Sequence, residues 1–426
     1  MSGRIENKRV VVGLSGGIAC YKVPEVVRLL RAGGARVRVV MTRSAAEFIT
    51  PLTLQTLAGE PVATELFDLT QESEIGHINL ADDADAIVVA PATANLIGKA
   101  AAGIGDDLLT TVLLATRAPV LLAPAMNVHM WENAIVQENL ARLRRHGWHV
   151  IEPGVGALAC GYEGAGRLAE PPLIVAEVER VLSPQDLRGE RVLVTAGPNR
   201  EAIDPVRFIS NRSTGRMGYA LASAAWRRGA EVVLVSGPTA LPDPHGVRCV
   251  RVQTAAEMHD AVLREFPAST VLLMAAAVAD YRPTTTRKQK LKKTDGPMQL
   301  ELTRTVDILG ALRGRAGRRV VVGFAAETEA VEENASRKLR DKGLSLIVAN
   351  DVTAPNAGFA VDTNAVTLID ASGRTAVPLA SKDEVADRIL DRVVELGAVR
   401  GKTGKAVGSR QKTKGKRQKA KVRAIR

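Results

Sequence analysis

Short apolar, β-branched runs alternate along the chain with stretches whose apolar positions recur at helical spacing. In the first half the runs are Arg9–Leu14, Arg36–Thr42, Ala86–Ala90, Val120–Ala123 and His149–Glu152, with the amphipathic stretch Tyr21–Ala32 between the first two. The alternation then restarts with Arg191–Thr195, Glu231–Ser236, Thr270–Ala277, Arg319–Phe324, Leu344–Ala349 and a late Val366–Asp370. Helical periodicity marks Met217–Arg228, Ala255–Phe266, Thr328–Lys342 and Lys382–Leu396. Near-continuous apolar strands separated by helices predict parallel sheets covered on both faces. The expected class is α/β, with two Rossmann-like three-layer domains whose sheets are mainly parallel. Pro171, Pro172, Pro184 and Gly189 mark the join. The predicted domains are residues 1–183 and 188–400, followed by a disordered tail, 401–426. Tyr281–Pro297, rich in Thr, Lys and Pro, reads as irregular and follows a strand end, where open α/β sheets place ligands.

Composition narrows the class. Of 426 residues, 46% are hydrophobic and 24% charged, which excludes a mostly disordered chain. Aromatics are 3%, so the cores rest on Ala, Val, Leu and Ile. No apolar run approaches the roughly 20 residues of a membrane helix, and the first residues carry no signal-peptide pattern. A cytoplasmic protein with no membrane partner is expected. Three cysteines, Cys20, Cys160 and Cys249, argue for a reducing compartment rather than a disulfide framework.

The net charge of +12 is local. Residues 401–426 hold eleven Lys or Arg and no acid, so residues 1–400 carry only +1. The tail is either a solvated segment or a contact for polyanions such as nucleic acid. It lacks the interleaved aromatics of sequence-specific recognition.

Candidate chemistry sits at strand ends. Ser15-Gly16-Gly17-Ile18 follows the first strand and opens a helix, where backbone N–H groups favour a phosphate. A tight strand–helix turn explains it equally well. Pro91-Ala92-Thr93-Ala94-Asn95 and Pro124-Ala125-Met126-Asn127-Val128-His129-Met130-Trp131 end the next strands. Gly156–Arg167 is a glycine-rich loop holding one thiol, Cys160.

With His77, the Pro124–Trp131 segment and Ala159-Cys160-Gly161 in that order, residues 5–180 resemble the flavin-containing cysteine decarboxylases, nearest to phosphopantothenoylcysteine decarboxylase. The resemblance implies a flavodoxin-like domain. In it, FMN oxidises the substrate thiol to a thioaldehyde, so that carboxylate electrons flow toward sulfur, and then returns a hydride. It implies FMN contacts at Ser15, Gly16, Gly17, Ile18, Thr42, Thr93 and Asn95. His77 would assist by acid–base or electrostatic action, Asn127 would bind the substrate carboxylate, and Cys160 would donate a proton. From the residues alone, His77 reads as structural and Asn127 as a cap; Cys160 could be a small hydrophobe, but a thiol in a glycine-rich loop is poorly placed for a core.

In the second half, Asn211-Arg212-Ser213-Thr214-Gly215-Arg216-Met217-Gly218 and Ala276-Ala277-Val278-Ala279-Asp280 resemble phosphopantothenate–cysteine ligase over about residues 188–395. The resemblance implies an acyl-cytidylate formed from CTP and displaced by the cysteine amine. A nucleoside triphosphate of about −4 charge needs cations, backbone amides and a divalent ion, here Mg2+. The implied nucleotide contacts are Met274, Ala275, Ala276, Asp280, Lys290, Val306, Asp307, Ile308, Leu309, Phe324, Lys338 and Lys342. Asp280 is the one metal candidate, and Asn211 would contact the acyl intermediate. The residues alone also allow Asn211 as an N-cap, Asp280 as a turn residue, and Lys338 and Lys342 as a solvated face paired with Glu332 or Glu333.

Together the halves imply one bifunctional chain in coenzyme A biosynthesis. It would act on 4′-phosphopantothenate, L-cysteine and CTP as a homo-oligomer with trimers of flavin domains and dimers of ligase domains, extending to a dodecamer. Two other readings are a regulatory flavoprotein without catalysis, against which His77, Asn127 and Cys160 stand together, and a nucleic-acid-binding protein led by its tail. Val306 where Pro is usual, Arg216 where Lys is frequent and Tyr162 where an acid is common depart from the family patterns.

Overall fold

The computed structural model describes residues 5–66, 76–157, 161–292, 297–327, 329–351, 358 and 361–397. Leu158–Cys160, Lys293 and the whole basic tail lie outside these residues. The chain divides into two compact units, with the boundary between Pro184 and Gln185.

In the first unit the central strands are β1 (Arg9–Leu14), β2 (Arg36–Met41), β3 (Ala86–Ala92), β4 (Val120–Pro124) and β5 (His149–Val150). They form one parallel sheet in the order β2-β1-β3-β4-β5. A hairpin of β6 (Gly154–Ala157) and β7 (Glu163–Arg167) follows. The helices are α1 (Val23–Ala32), α2 (Arg43–Ala46), α3 (Pro51–Ala58), α4 (Gly76–Asp82), α5 (Ala94–Ala102), α6 (Leu108–Ala115), α7 (Val128–Trp131), α8 (Ala134–Arg145) and α9 (Pro171–Leu182).

Both sheet faces are covered because strand side chains alternate. Val10, Val12 and Leu14 pack with Val23, Val27 and Leu30 of α1 and with Ile174 and Val178 of α9. Val11, Ile87 and Val89 face the other way, onto Leu96 of α5, Leu109 and Val112 of α6 and Leu140 of α8. Val23, Val26, Val27 and Leu30 of α1 are all fully buried, the i, i+3, i+4, i+7 stripe of an amphipathic helix. Each such side chain contributes roughly 1.5–3 kcal/mol on burial.

The second unit has β8 (Arg191–Ala196), β9 (Arg200–Ala202), β10 (Phe208–Ser210), β11 (Glu231–Ser236), β12 (Arg248–Arg251), β13 (Val271–Met274), β14 (Tyr281–Pro283), β15 (Leu302–Arg304), β16 (Val320–Glu327), β17 (Leu346–Asp351), β18 (Thr363–Asp370) and β19 (Gly373–Ser381). Its helices include α10 (Arg216–Arg227), α11 (Ala255–Glu265), α12 (Ile308–Leu312) and α13 (Val331–Lys342). Residues 382–397 form a last helix. The sheet order is β12-β11-β8-β13-β16-β17-β18-β19, parallel from β12 to β17, with β18 and β19 added antiparallel at one end. Two small antiparallel pairs, β9–β10 and β14–β15, lie outside the main sheet.

Arg227 and Arg228, each 5% exposed, end α10 inside the unit. Arg227 meets both oxygens of Asp387 at 2.7 Å. Arg228 reaches Asp186 at 2.6 Å and Asp391 at 2.8 Å. These bonds tie α10 to the start of the unit and to its last helix.

Candidate functional site

The order β2-β1-β3 places a topological switch between β1 and β3, where the chain leaves the sheet in opposite directions and a crevice opens at the carboxyl ends. A cavity of about 1000 Å³ occupies that place. Ser15, Gly16, Gly17, Ile18, Thr42, Thr93, Asn95 and Asn127 all line it.

Local bonds explain their placement. Ser15, only 3% exposed, donates from Oγ to the Pro91 carbonyl at 2.7 Å, and the Thr93 N–H donates back to Ser15 Oγ at 2.9 Å. These bonds lock the turns after β1 and β3 together. Thr93 caps α5, accepting from the Leu96 N–H, and Thr42 caps α2, accepting from Ala45. Asn127 caps α7 through a 2.8 Å bond from the His129 N–H. The turn before Asn127 is gripped by the hairpin: Met126 N–H donates to the Gly166 carbonyl at 3.0 Å. A Cβ at Gly166 would fall 2.3 Å from the Met126 oxygen, so only glycine fits.

The cavity suits a flavin mononucleotide. A Cβ at Gly16 would lie 2.4 Å from Ser44 Cβ, so the loop packs directly on α2. A Cβ at Gly17 would meet nothing nearer than 3.6 Å and would instead fill the cradle. Lys22, Arg43, Lys99 and Arg167 also line the cavity. Lys22 is paired with Glu170 at 2.9 Å and Lys99 with Asp106 at 2.8 Å, while Arg43 makes no ion pair among the described residues. Arg167 also approaches Glu170, at 3.8 Å, and Asp107 lines the cavity too, so Arg43 is the cation left to favour a phosphate. The sequence reading did not single out these four cations; only their proximity in the fold reveals them.

His77 stands apart. It is half-buried on α4 and is not among the residues lining the cavity. Cys160 lies outside the described residues.

In the second unit the switch falls between β8 and β13. Met274 ends β13, and Thr195 Oγ1 of β8 accepts the Ala276 N–H at 3.1 Å. Asn211 does not cap α10, whose N-cap is Gly215. Its amide instead donates to the carbonyls of Ala277 and Val278, both at 3.1 Å, joining two of the quoted segments. Asp280 and Lys290 are exposed. Asp280 takes the Thr305 N–H on its carbonyl at 2.9 Å. Among the described residues no three His, Cys, Asp or Glu side chains cluster as a metal site.

Lys338 and Lys342 share a face, but their partners differ from the glutamates weighed in the sequence. Lys338 Nζ donates to the Phe324 carbonyl at 2.8 Å, and Lys342 pairs with Asp307. Glu332 pairs instead with Arg374. Phe324, Asp307, Lys338 and Lys342 thus form one cluster between β16, α12 and α13. Burial raises the proton affinity of Asp307, but the Lys342 ammonium and the Gly310 N–H outweigh it and hold the carboxyl below its ordinary range.

The turn Asp204–Arg207 is a feature the sequence reading missed. Asp204 is 2% exposed and accepts from the Val206 and Arg207 N–H groups at 2.8 Å and from the Arg207 Nε at 2.9 Å. Its i+2 and i+3 bonds are those of an Asx turn, a signal legible in Asp-Pro-Val-Arg.

Comparison with known proteins places most of the chain. The family described as "Flavoprotein" matches residues 1–183, and "DNA/pantothenate metabolism flavoprotein C-terminal domain" matches residues 187–396. The coenzyme A biosynthesis bifunctional protein CoaBC of Bacillus subtilis is 50% identical over 402 residues, covering 93% of this chain and 99% of that protein. Its namesake in Escherichia coli K12 is 46% identical over 395 residues, covering 92% and 97%. A crystal structure of the C-terminal domain of such a protein is 44% identical, covering 50% of this chain and 97% of its own, with a TM-score of 0.44. The chain belongs to the family of coenzyme A biosynthesis bifunctional proteins.

Proposed function

We propose that the second unit joins 4′-phosphopantothenate to L-cysteine with CTP and Mg2+. The first unit, with FMN, then decarboxylates 4′-phosphopantothenoylcysteine to 4′-phosphopantetheine. The chain is a bifunctional enzyme with decarboxylase and ligase activities. The observation that carries the finer reading is the cavity of about 1000 Å³, in which the seven flavin-contact candidates and Asn127 converge at the sheet's switch point.

Bound FMN supplies two-electron oxidation of the substrate thiol and the later return of a hydride. The chain's own residues orient and protonate. Asn127 holds the substrate carboxylate with its amide, its side chain fixed by the His129 N–H. Arg43 holds phosphate. Cys160 donates a proton. His77 acts beside the substrate, and its position off this cavity favours an oligomer in which a second copy brings it in.

In the ligase unit, Lys290, Lys338 and Lys342 hold the triphosphate, and Mg2+ arrives with the nucleotide. Asn211 orients the acyl intermediate from the Ala277–Val278 carbonyls. The location is the cytoplasm; no helix among the described residues is long and apolar enough to cross a membrane.

The test is mass spectrometry of full-length protein with 4′-phosphopantothenate, cysteine, CTP, FMN and Mg2+. Formation of 4′-phosphopantetheine with CMP, pyrophosphate and CO2 is expected. No CTP-dependent product would overturn the reading, and accumulation of the cysteine conjugate would overturn its decarboxylase half.

A further inference from the structure

Lys290 lies in a stretch with no helix of its own, exposed and rich in Thr, Arg and Lys. Left to its own propensities, such a segment samples many conformations and loses entropy when fixed. Yet it is pinned. Thr286 Oγ1 donates to the Ala202 carbonyl at 3.2 Å, and the Arg287 N–H to the Ile203 carbonyl at 3.0 Å. The last and most polar contact falls on Leu291, the residue after Lys290. Its N–H donates to Asp204 Oδ2 at 3.1 Å, and its carbonyl accepts from Arg207 Nη2 at 2.8 Å. Both backbone groups of one residue are thus held by one ion pair, whose carboxylate is buried and whose guanidinium is partly exposed.

We propose that Asp204 is a positioning residue for Lys290: by holding the Leu291 backbone, directly and through Arg207, it sets where the Lys290 ammonium meets the triphosphate of CTP. The inference rests on the nucleotide role given to Lys290 above. The chemistry of Asp204 suits a fixed anchor. Its bond from Arg207 dominates, burial opposes ionisation, and the N–H groups of Val206, Leu291 and Arg207 add to the first, so the carboxyl stays far below the usual carboxylate range. A side chain with every acceptor site engaged has no freedom to follow a mobile ligand, which separates it from groups that contact substrate. Asparagine at this place keeps one acceptor oxygen but gives up the charge that organises Arg207.

The experiment uses full-length protein in four forms: unsubstituted, Asp204→Asn, Lys290→Gln and the double variant. CTP affinity with Mg2+ is read by titration calorimetry, and the Leu291 segment by hydrogen exchange. Asp204→Asn is expected to weaken CTP about tenfold and to speed Leu291 exchange at least tenfold. In the Lys290→Gln background it should weaken CTP no further, because it acts through that lysine. Equal weakening in both backgrounds, or unchanged affinity or exchange in Asp204→Asn, would overturn the proposal. Asp204→Ala removes the acceptor altogether; if it unfolds, Asp204→Asn decides alone. Failure of the unsubstituted protein to bind CTP would sink the nucleotide reading itself and is seen before any variant is compared.

Discussion

Lys342, in the last turn of α13, forms an ion pair with Asp307, which at the same time caps α12 by accepting the Gly310 N–H at 2.8 Å. One carboxylate therefore joins two helices on either side of the end of β16. Both side chains are partly exposed, at 31% and 54%, so the pair itself contributes under about 1 kcal/mol to stability. On the proposed nucleotide role of Lys342, the pair would hold that lysine ready for phosphate. Lys342→Ala is expected to leave the melting temperature within a few degrees while weakening CTP about tenfold, measured by calorimetry with Mg2+. The Asp307 carboxyl is depressed in the fold. Its contribution is thus present above the unfolded value near pH 4 and is lost as pH falls through the lower folded value. Between pH 6 and 8 the melting temperature should not respond to this pair.

The two glycines after β1 should fail differently. Gly16→Ala forces a Cβ against Ser44, so stability and flavin both fall. Gly17→Val has room in the backbone and places its bulk in the cavity. It should keep the melting temperature of the flavin-free protein and lose the yellow colour. Flavin absorbance after gel filtration, read beside apo-protein melting, checks both; a flavin-loaded Gly17→Val would move the cofactor elsewhere.

Arg228 offers a stability test away from either site. It is 5% exposed, and its partners Asp186 and Asp391 are left without a cation on truncation. Arg228→Ala is expected to cost about 2 kcal/mol, less than a fully buried pair because both aspartates keep some solvent. Urea unfolding monitored within the second unit would show it, and a midpoint unchanged from wild type would contradict it.

Cys249 should be chemically quiet. Burial first, then the nearby Asp243 carboxylate, pushes its thiol up to about 11. At pH 8 roughly one molecule in a thousand carries the thiolate, which is the reactive form. Iodoacetamide labelling of Cys249, followed by peptide mass spectrometry, should be far slower than for a free thiol at pH 8 and should rise steeply toward pH 11.

Removing residues 401–426 takes away eleven positive charges and no acid. Both enzymatic rates should survive, while retention on heparin at low salt should vanish. Loss of turnover in the truncated chain would give the tail a catalytic part.

Much of this was legible in the sequence because buried parallel strands advertise themselves. Arg9–Leu14 and Glu231–Ser236 match the expected runs residue for residue, and the other central strands differ only at their ends. Val120–Ala123, for example, extends to Pro124. Thr42, expected inside a strand, caps α2 instead. The edge strand β19 was missed because it is mostly exposed and lacks an apolar run. The β6–β7 hairpin was hidden by its glycines, which read as loop. The flavin-contact candidates came from the family resemblance, and the fold adds that they line one cavity. Asn211 bonding to Ala277 and Val278, 66 and 67 residues away, could not be read in the sequence, since no local pattern encodes a meeting so remote.

The paired bonds of Arg228 set an order on synthesis. Asp186 precedes it by 42 residues and Asp391 follows it by 163. Everything that completes the first unit has left the ribosome before Asp186 does, so that unit can mature while translation continues. The second unit cannot close in the same stepwise way: its buried guanidinium, paired with Asp186 alone, waits for the final helix to emerge. A nascent chain halted before residue 387 should therefore hold flavin yet show a protease-sensitive second half.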